Sequence, residues 1–147
     1  MTIKTLTLFF LLFSVSIFAQ DLKQKEDLQK LIETEKAFAQ ASINLGTNTA
    51  FLNFLSKEAI VFDKSMPVNG LNYWQNLDFK GVITWKPIIA EIAGSSDLGY
   101  TVWNYQFHNT SAEEKPNAFG SFVTLWKKQA DNSWKVAVDM GVWHDEI

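Results

Sequence analysis

Apolar positions in the first part of the chain recur every three or four residues, which is the spacing of one helix face. Between residues 21 and 45 the lysines lie off a stripe that consists of Leu28, Leu31, Ile32, Phe38, Ala39 and Ser42. The pattern predicts an amphipathic helix that ends at Gly46, since glycine commonly terminates helices. A second, shorter helix is predicted to reach Leu55, with Thr47 or Asn48 as its N-cap.

The rest of the chain is predicted to be mainly strands. A β-branched and aromatic run at residues 59–63 predicts the first strand, and residues 64–70 predict a loop. A third helix is predicted over residues 71–77, with a break at Gly81. Four long strands then follow, over residues 83–93, 98–108, 119–128 and 134–143. Helices followed by an antiparallel meander predict a single α+β domain whose sheet wraps around the helices.

The N-terminal 19 residues are predicted to lie outside this domain. Lys4 is followed by an apolar run from Leu6 that closes on Ser-Ile-Phe-Ala before Gln20. This is the three-part layout of a secretory signal peptide. The apolar core is shorter than the ~20 residues that a membrane-spanning helix needs. We therefore expect cleavage after Ala19, a periplasmic or secreted protein without a membrane anchor, and one domain over residues 20–147.

Composition narrows the class of ligand. All 13 basic residues are lysine, the formal net charge is −3, and there is no arginine or cysteine. Arginine is the usual residue for clamping phosphate and for contacting nucleic acid, so a nucleic-acid partner is not expected. Without disulfides, stability must come from burial, to which twelve Phe, six Trp and three Tyr can contribute.

The order of elements, together with several short motifs, resembles the cone-shaped NTF2-like superfamily, and within it the SnoaL-like and DUF4440 branch. The resemblance covers essentially all of residues 20–147. It rests on EKAFA at 35–39, the Gly70 segment, WKP at 85–87, SDLGYT at 96–101, GSFVTLWKKQ at 120–129, WKV at 134–136 and Asp139. It implies a curved, mainly antiparallel sheet whose concavity holds the N-terminal helices and encloses a pocket. The superfamily includes isomerases, cyclases, dehydratases and hydrolases as well as non-catalytic modules, so the fold alone does not determine the function.

Three carboxylates are candidates for catalytic residues. Glu35 falls in the middle of the apolar stripe and is either a pocket acid/base or ligand anchor, or a structural carboxylate that ties the helix to the sheet. Asp63 ends the first strand, either as a base near the pocket mouth, as in the family's isomerases, or as a turn residue. Asp139 interrupts the apolar strand VAVDMGVW and is either a ligand group or a partner for Tyr105, Asn104 or Glu35.

Aromatic residues supply candidates for ligand contacts. The predicted ligand-binding residues are Tyr73, Trp74, Trp103, Tyr105, Trp143 and, at the pocket rim, His144. Core filling and dimer contact are the better explanation for any one of these aromatics, but as a set they exceed what the core strictly needs. His108 and His144 are the only histidines, so neither a metal site nor a cofactor is predicted. The first helix has no tyrosine, which argues against the steroid-isomerase arrangement of an Asp base with a Tyr and a protonated Asp.

These observations support two hypotheses of different classes. In the first, an exported homodimer binds a small, largely apolar molecule in its cone, with acid/base chemistry of an isomerase, cyclase or dehydratase kind. In the second, the chain is a non-catalytic dimerisation or protein-interaction module whose pocket is filled by its own side chains. A structure without a cavity above ~300 Å³, the lower limit of ordinary ligand pockets, would favour the second hypothesis. A deep cavity with at least two convergent carboxylates would count against it.

Overall fold

The structure, a computed structural model, describes residues 3–145 of the chain, and the side chains of residues 20–86 and 89–145. This part of the chain forms three helices and six strands. In chain order they are α1 (Ile3–Leu45), α2 (Thr47–Phe54), β1 (Leu55–Asp63), β2 (Met66–Asn69), α3 (Gly70–Asn76), β3 (Val82–Ile92), β4 (Leu98–His108), β5 (Ala118–Lys128) and β6 (Trp134–His144). Within the described residues, no helix is long and apolar enough to cross a membrane.

One curved sheet contains all six strands, in the order β2-β1-β6-β5-β4-β3. Neighbouring strands are antiparallel except β1 and β6, which are parallel. Helix α1 packs chiefly against β3 and α2, and α3 packs against β1. The predicted α+β class, with N-terminal helices against a curved, mainly antiparallel sheet, is confirmed.

The predicted loop at residues 64–70 is wrong, because a hairpin occupies it. Lys64 and Ser65 have φ angles of 48° and 69°, the left-handed values that a two-residue type I′ turn requires at both positions. The turn leads into the short strand β2, which pairs with β1 at the edge of the sheet. Pro67 is tolerated in this strand because one side of an edge strand needs no backbone donor.

The predicted caps of α2 are also wrong, because both side chains bond to other elements. The N-cap of α2 is Gly46, and no side chain caps the helix. Thr47 Oγ1 instead accepts a hydrogen bond from the Ile83 backbone N–H at 3.0 Å. Asn48 Nδ2 donates to the carbonyl oxygens of Trp74 and Leu77 at 3.1 and 2.8 Å. These two residues therefore tie α2 to β3 and to α3.

Phe38 lies at the centre of the core. Its side chain is fully buried and contacts four other aromatic rings in the concavity. Its ring centroid lies 4.9 to 6.1 Å from those of Phe51, Phe54, Trp85 and Trp126. Each such aromatic pair contributes about 0.5–1.5 kcal/mol beyond the burial of its area. The cluster thereby joins α1 and α2 to β3 and β5.

Candidate functional site

A cavity of about 310 Å³ opens between the helices and the sheet. This volume is at the lower limit of pockets that hold small ligands. Among the described residues, fifteen line it: Phe51, Val61, Phe62, Tyr73, Trp74, Phe79, Ile83, Trp85, Tyr105, Phe107, Phe122, Asp139, Met140, Gly141 and Trp143. This described lining is largely aromatic; Asp139 is its one carboxylate, and it includes no lysine or histidine.

The positions of the strands explain where the cavity lies. The parallel pairing of β1 with β6 ends at Ile60 and Val138. Beyond that point Phe62 on β1 and Met140 on β6 both border the cavity. From the other side, Trp74 on α3 borders it as well. The cavity therefore lies where the two strands no longer pair and α3 packs beside them.

Asp139 lies on a row of cross-strand partners on the concave face of the sheet. The register aligns Thr101 on β4 with Thr124 on β5, and Thr124 with Asp139 on β6. Thr124 Oγ1 donates a hydrogen bond to Asp139 Oδ2 at 2.7 Å. Among the described residues, no group donates to the other carboxyl oxygen, Oδ1. One oxygen of this carboxylate is thus held by the sheet, and the other is free to meet a ligand.

Burial changes the acidity of Asp139. Loss of solvation raises the pKa of its carboxyl from 3.8 to about 6, and the hydrogen bond from Thr124 opposes this rise. The residue remains partly exposed because it borders the cavity. A carboxylate with a pKa near 6 is mostly ionised at neutral pH and is a stronger base than a solvated aspartate.

Two small residues make room for Tyr105 beside Asp139. A Cβ atom at Gly120 would lie 2.3 Å from the Tyr105 hydroxyl, so only glycine fits there without displacing the ring. A Cβ at Gly141 would lie 3.7 Å from the same ring. Burial raises the pKa of Tyr105, and the charge of Asp139 adds to this rise. The phenol is therefore neutral at physiological pH.

Glu35 is fully buried and does not border the cavity. Its Oε1 accepts a hydrogen bond from Trp85 Nε1 at 2.9 Å. Its Oε2 accepts from Thr101 Oγ1 at 2.6 Å and from Trp126 Nε1 at 3.0 Å. These bonds join α1 to three adjacent strands. The structural alternative for Glu35, a tether between helix and sheet, is the arrangement that the structure contains.

Glu35 nevertheless has a strongly shifted pKa. Loss of solvation raises the pKa from 4.5 to about 7, the three hydrogen bonds oppose the rise, and the charge of Asp139 adds to it. Loss of solvation is the largest cause, and it exceeds the effect of the donors. Near neutral pH this carboxyl is thus close to half protonated.

Asp63 lies outside the lining of the cavity. It immediately precedes the type I′ turn and pairs with Met66 across the β1–β2 hairpin. Its charge contributes to the raised pKa of Tyr73, for which burial is the larger cause. The turn alternative describes its position, so of the three candidate carboxylates Asp139 alone lines the cavity.

The predicted ligand-binding residues divide into two groups. Tyr73, Trp74, Tyr105 and Trp143 border the cavity, whereas Trp103 and His144 do not. Trp103 is buried in the core, and the His144 ring lies 3.1 Å from Ser121 Oγ and 2.6 Å from the Asp145 carbonyl oxygen. In the described part of the chain, no group of three or more His, Asp or Glu residues could hold a metal ion.

Many lining residues were not predicted from the sequence. Among them, Ile83, Trp85, Phe107 and Phe122 belong to the concave positions of β3, β4 and β5. Alternation along each strand indicates such positions, but the depth at which each side chain lies depends on the register between strands. The missing signal was therefore the pairing of strands and not the hydrophobicity of the residues.

Comparison with known proteins identifies the fold. No protein-family model matches the chain, and no curated protein matches it. A ketosteroid isomerase-like protein from Erwinia carotovora atroseptica matches with a TM-score of 0.63 and 14% identity, over 82% of this chain and 98% of that chain. An NTF2-like protein from Cytophaga hutchinsonii matches with a TM-score of 0.56 and 15% identity, over 78% and 95%. A proposed scytalone dehydratase from Novosphingobium aromaticivorans matches with a TM-score of 0.61 and 9% identity, over 87% and 89%.

The chain therefore has the NTF2-like fold that the resemblance implies. At these identities the likeness establishes the fold alone. The narrower DUF4440 placement stays a prediction. What the chain binds must be argued from its own cavity.

We expect the free energy of unfolding to fall as the pH rises from about 4.5 to about 7. The pKa of Glu35 is higher in the folded protein than its ordinary value of 4.5, so folding favours the protonated carboxyl. The stabilisation is complete below about pH 4.5 and is lost as the pH passes about 7. The shift in the pKa of Glu35 corresponds to a change of roughly 3 kcal/mol in the free energy of unfolding. Urea unfolding at a series of pH values measures it.

In the variant Glu35→Gln the free energy of unfolding should depend less on pH between about 4.5 and about 7, since the amide does not titrate. Glu33→Gln, which changes an exposed carboxylate two residues away on α1, is the matched control and should leave the slope unchanged. The raised pKa of Asp139 contributes in the same direction, so some slope should remain in Glu35→Gln. An unchanged slope in Glu35→Gln would show that Glu35 does not titrate over this range.

Proposed function

We propose that the cavity binds a small, flat, largely apolar molecule and that Asp139 acts on it as an acid/base group. The observation that carries the proposal is one carboxylate on an otherwise apolar, largely aromatic wall, with one oxygen bonded to Thr124. With about 30 Å³ for each water-sized group, the cavity has room for roughly ten non-hydrogen atoms. A one-ring or compact two-ring molecule has this size.

The chemistry that fits Asp139 is removal or return of a proton at a carbon atom. A base with a pKa near 6 is ionised at neutral pH, yet it retains enough basicity to remove a proton next to a carbonyl group. Isomerisation, cyclisation and dehydration can each begin with such a step. Solved structures with the same fold are named as a ketosteroid isomerase-like protein and as a proposed scytalone dehydratase, which agrees with this class of reaction.

Deuterium exchange tests the proposal without knowledge of the natural substrate. Acetophenone has nine non-hydrogen atoms, and its methyl protons exchange with D₂O when a base removes them. We expect the protein to accelerate this exchange, and Asp139→Asn to slow the catalysed rate by roughly 10²-fold or more. The rate should rise with pH through about 6, as Asp139 loses its proton. Proton NMR of the methyl signal measures the exchange.

Asp63→Asn is the matched control, because it removes a carboxylate that lies near the cavity but outside its lining. It should leave the exchange rate unchanged. Equal rates in Asp139→Asn and the unmodified protein would contradict the assignment of Asp139. Binding of acetophenone without any exchange would remove the catalytic part of the proposal and leave a binding domain.

We also propose that two copies of the chain associate through the convex face of the sheet, the role that the non-catalytic alternative emphasises. On this face Ile89, Val102 and Val123 are register partners on three adjacent strands. Ile89 is 45% exposed, and Val142 on β6 is 59% exposed. A row of exposed apolar side chains on one face of a sheet is typical of a surface that a second protein covers.

A charge on this face should separate the copies. Val142→Asp should convert a dimer into a monomer, since burying an unpaired carboxylate in an apolar interface costs several kcal/mol. Gln106→Asp, an exposed position on the same face, is the matched control and should leave the assembly unchanged. Sedimentation velocity distinguishes the two species. A monomeric unmodified protein at micromolar concentration would contradict the proposal.

We also propose that the protein is exported from the cytoplasm after its N-terminal segment is cleaved. The layout of residues 1–19 supports cleavage between Ala19 and Gln20. When the full chain is expressed in a bacterium that exports proteins, the product outside the cytoplasm should have the mass of residues 20–147. A product that still carries Met1, or one confined to the cytoplasm, would contradict this prediction.

A further inference from the structure

The exposure of the lining residues locates the mouth of the cavity. Most of the described lining is buried or half-buried, and its exposed members are Phe62 on β1 and Met140, Gly141 and Trp143 on β6. Phe62 is 39% exposed and Met140 is 46% exposed. A residue that contacts both the cavity and the solvent lies where the two meet. The cavity therefore opens between the ends of β1 and β6.

The sheet is split at this mouth. The parallel ladder of β1 with β6 ends just before Val61 and Asp139. Continued in register, the ladder would bring Val61 opposite Asp139. The next residues, Phe62 and Met140, would then be neighbours as well. Neither pair is formed among the described residues, and all four of these residues line the cavity. The cavity thus occupies the place of the missing part of the ladder.

The split passes from the concave to the convex face of the sheet. Successive side chains of a strand point to opposite faces. Val61 is buried and Asp139 accepts a hydrogen bond from the buried Thr124, so both face the concavity. Phe62 and Met140 follow them in sequence and therefore point to the convex face. Because residues of both faces line one cavity, the cavity continues between the strands.

The convex surface beside the split is apolar. Ile60 precedes Phe62 by two residues on the same face of β1, and Val142 follows Met140 by two residues on the same face of β6. Both Ile60 and Val142 are exposed. Exposed apolar surface that is continuous with a cavity indicates contact with an apolar part of a ligand.

We propose that the ligand combines a compact ring, held in the cavity, with an unbranched alkyl chain that passes between β1 and β6 to the convex face. The cavity of about 310 Å³ has room for roughly ten non-hydrogen atoms, so a larger ligand must extend beyond it. Phe62 and Met140 flank the way out with apolar side chains, and the unbranched thioether adapts readily to a chain. This inference rests on the proposed function and adds the chain of the ligand to it.

The position of the split favours a chain over a ring. Phe62 and Met140 lie two residues, or about 7 Å of strand, beyond the last pair of the ladder. Two strands that have just separated leave a gap that is long in one direction and narrow in the other. A charged substituent is disfavoured as well, because the apolar side chains that flank the gap offer it no partner.

The test compares three ketones that share a phenyl ring. Acetophenone has a methyl group on its carbonyl carbon, heptanophenone has an unbranched hexyl chain, and cyclohexyl phenyl ketone has a ring with as many carbon atoms as that chain. Each methylene group that is buried on one side should tighten binding about twofold, so heptanophenone should bind about thirtyfold more tightly than acetophenone. Cyclohexyl phenyl ketone should bind no more tightly than acetophenone. Ligand-observed NMR titration gives the three dissociation constants.

Substitutions beside the split should reduce the preference for the chain. Phe62→Asn and Met140→Asn each place an amide where the chain would lie, and each should lower the preference for heptanophenone over acetophenone to about fivefold or less. Because the preference is a ratio within one protein, a general change in the cavity cancels. Met140 is also the register partner of Val123 on the face proposed for self-association, whereas Phe62 is on β1, so Phe62→Asn separates the two effects.

Met66→Asn is the matched control. Met66 is exposed but lies outside the described lining of the cavity, so this variant should keep the thirtyfold preference. The sequence has methionine only at positions 1, 66 and 140, which allows a second measurement on the unmodified protein if the variants do not fold. With ¹³C-methyl-labelled methionine, the terminal methyl group of heptanophenone should show a nuclear Overhauser effect to Met140 and none to Met66.

The possible failures differ from one another. If heptanophenone binds no more tightly than acetophenone, the cavity is closed to a chain; the inference fails and the proposed function stands. The inference fails in the same way if cyclohexyl phenyl ketone gains as much affinity as heptanophenone, or if Phe62→Asn and Met140→Asn keep the full preference. If none of the three ketones binds the unmodified protein, the proposed function itself fails, and the inference fails with it.

Discussion

The buried carboxylate of Glu35 is the interaction on which the rest of the domain depends. It accepts three hydrogen bonds, from Trp85, Thr101 and Trp126, and thereby fixes α1 against three adjacent strands. A buried, unpaired carboxylate would cost several kcal/mol, so the helix can occupy only the register that presents these donors. Glu35 thus selects one way of packing the helix, where hydrophobic contacts alone would tolerate several. The aromatic cluster around Phe38 then fills the space beside it.

That arrangement explains why a cavity remains at the other end of the concavity. The residues that hold α1 belong to β3, β4 and β5, while the cavity extends to β6 and α3. The same cross-strand row continues from Thr101 through Thr124 to Asp139. Thr101 donates a hydrogen bond to Glu35, and Thr124 donates one to Asp139. Glu35 has a donor for each oxygen, whereas one oxygen of Asp139 faces a space that the core does not fill.

The sequence predicts the fold to the extent that local pattern determines it. The part of helix α1 over residues 21–45 and the four long strands follow from periodicity, and strand β4 has the predicted bounds. The hairpin at Lys64 and the parallel pairing of β1 with β6 were missed, because both depend on contacts between distant segments and on two unusual φ angles. The same limit applies to the site. The apolar stripe identifies Glu35 as unusual, but its role follows from donors that lie 50 to 91 residues away.

The two carboxylates also interact electrostatically. The charge of Asp139 raises the pKa of Glu35, so a proton held by either group makes ionisation of the other easier. Of the two groups, Asp139 has the lower pKa, so it ionises first as the pH rises, and its charge then favours the protonated form of Glu35. The carboxylate that borders the cavity therefore influences the protonation of the carboxyl that fixes the helix, although Glu35 itself does not border the cavity.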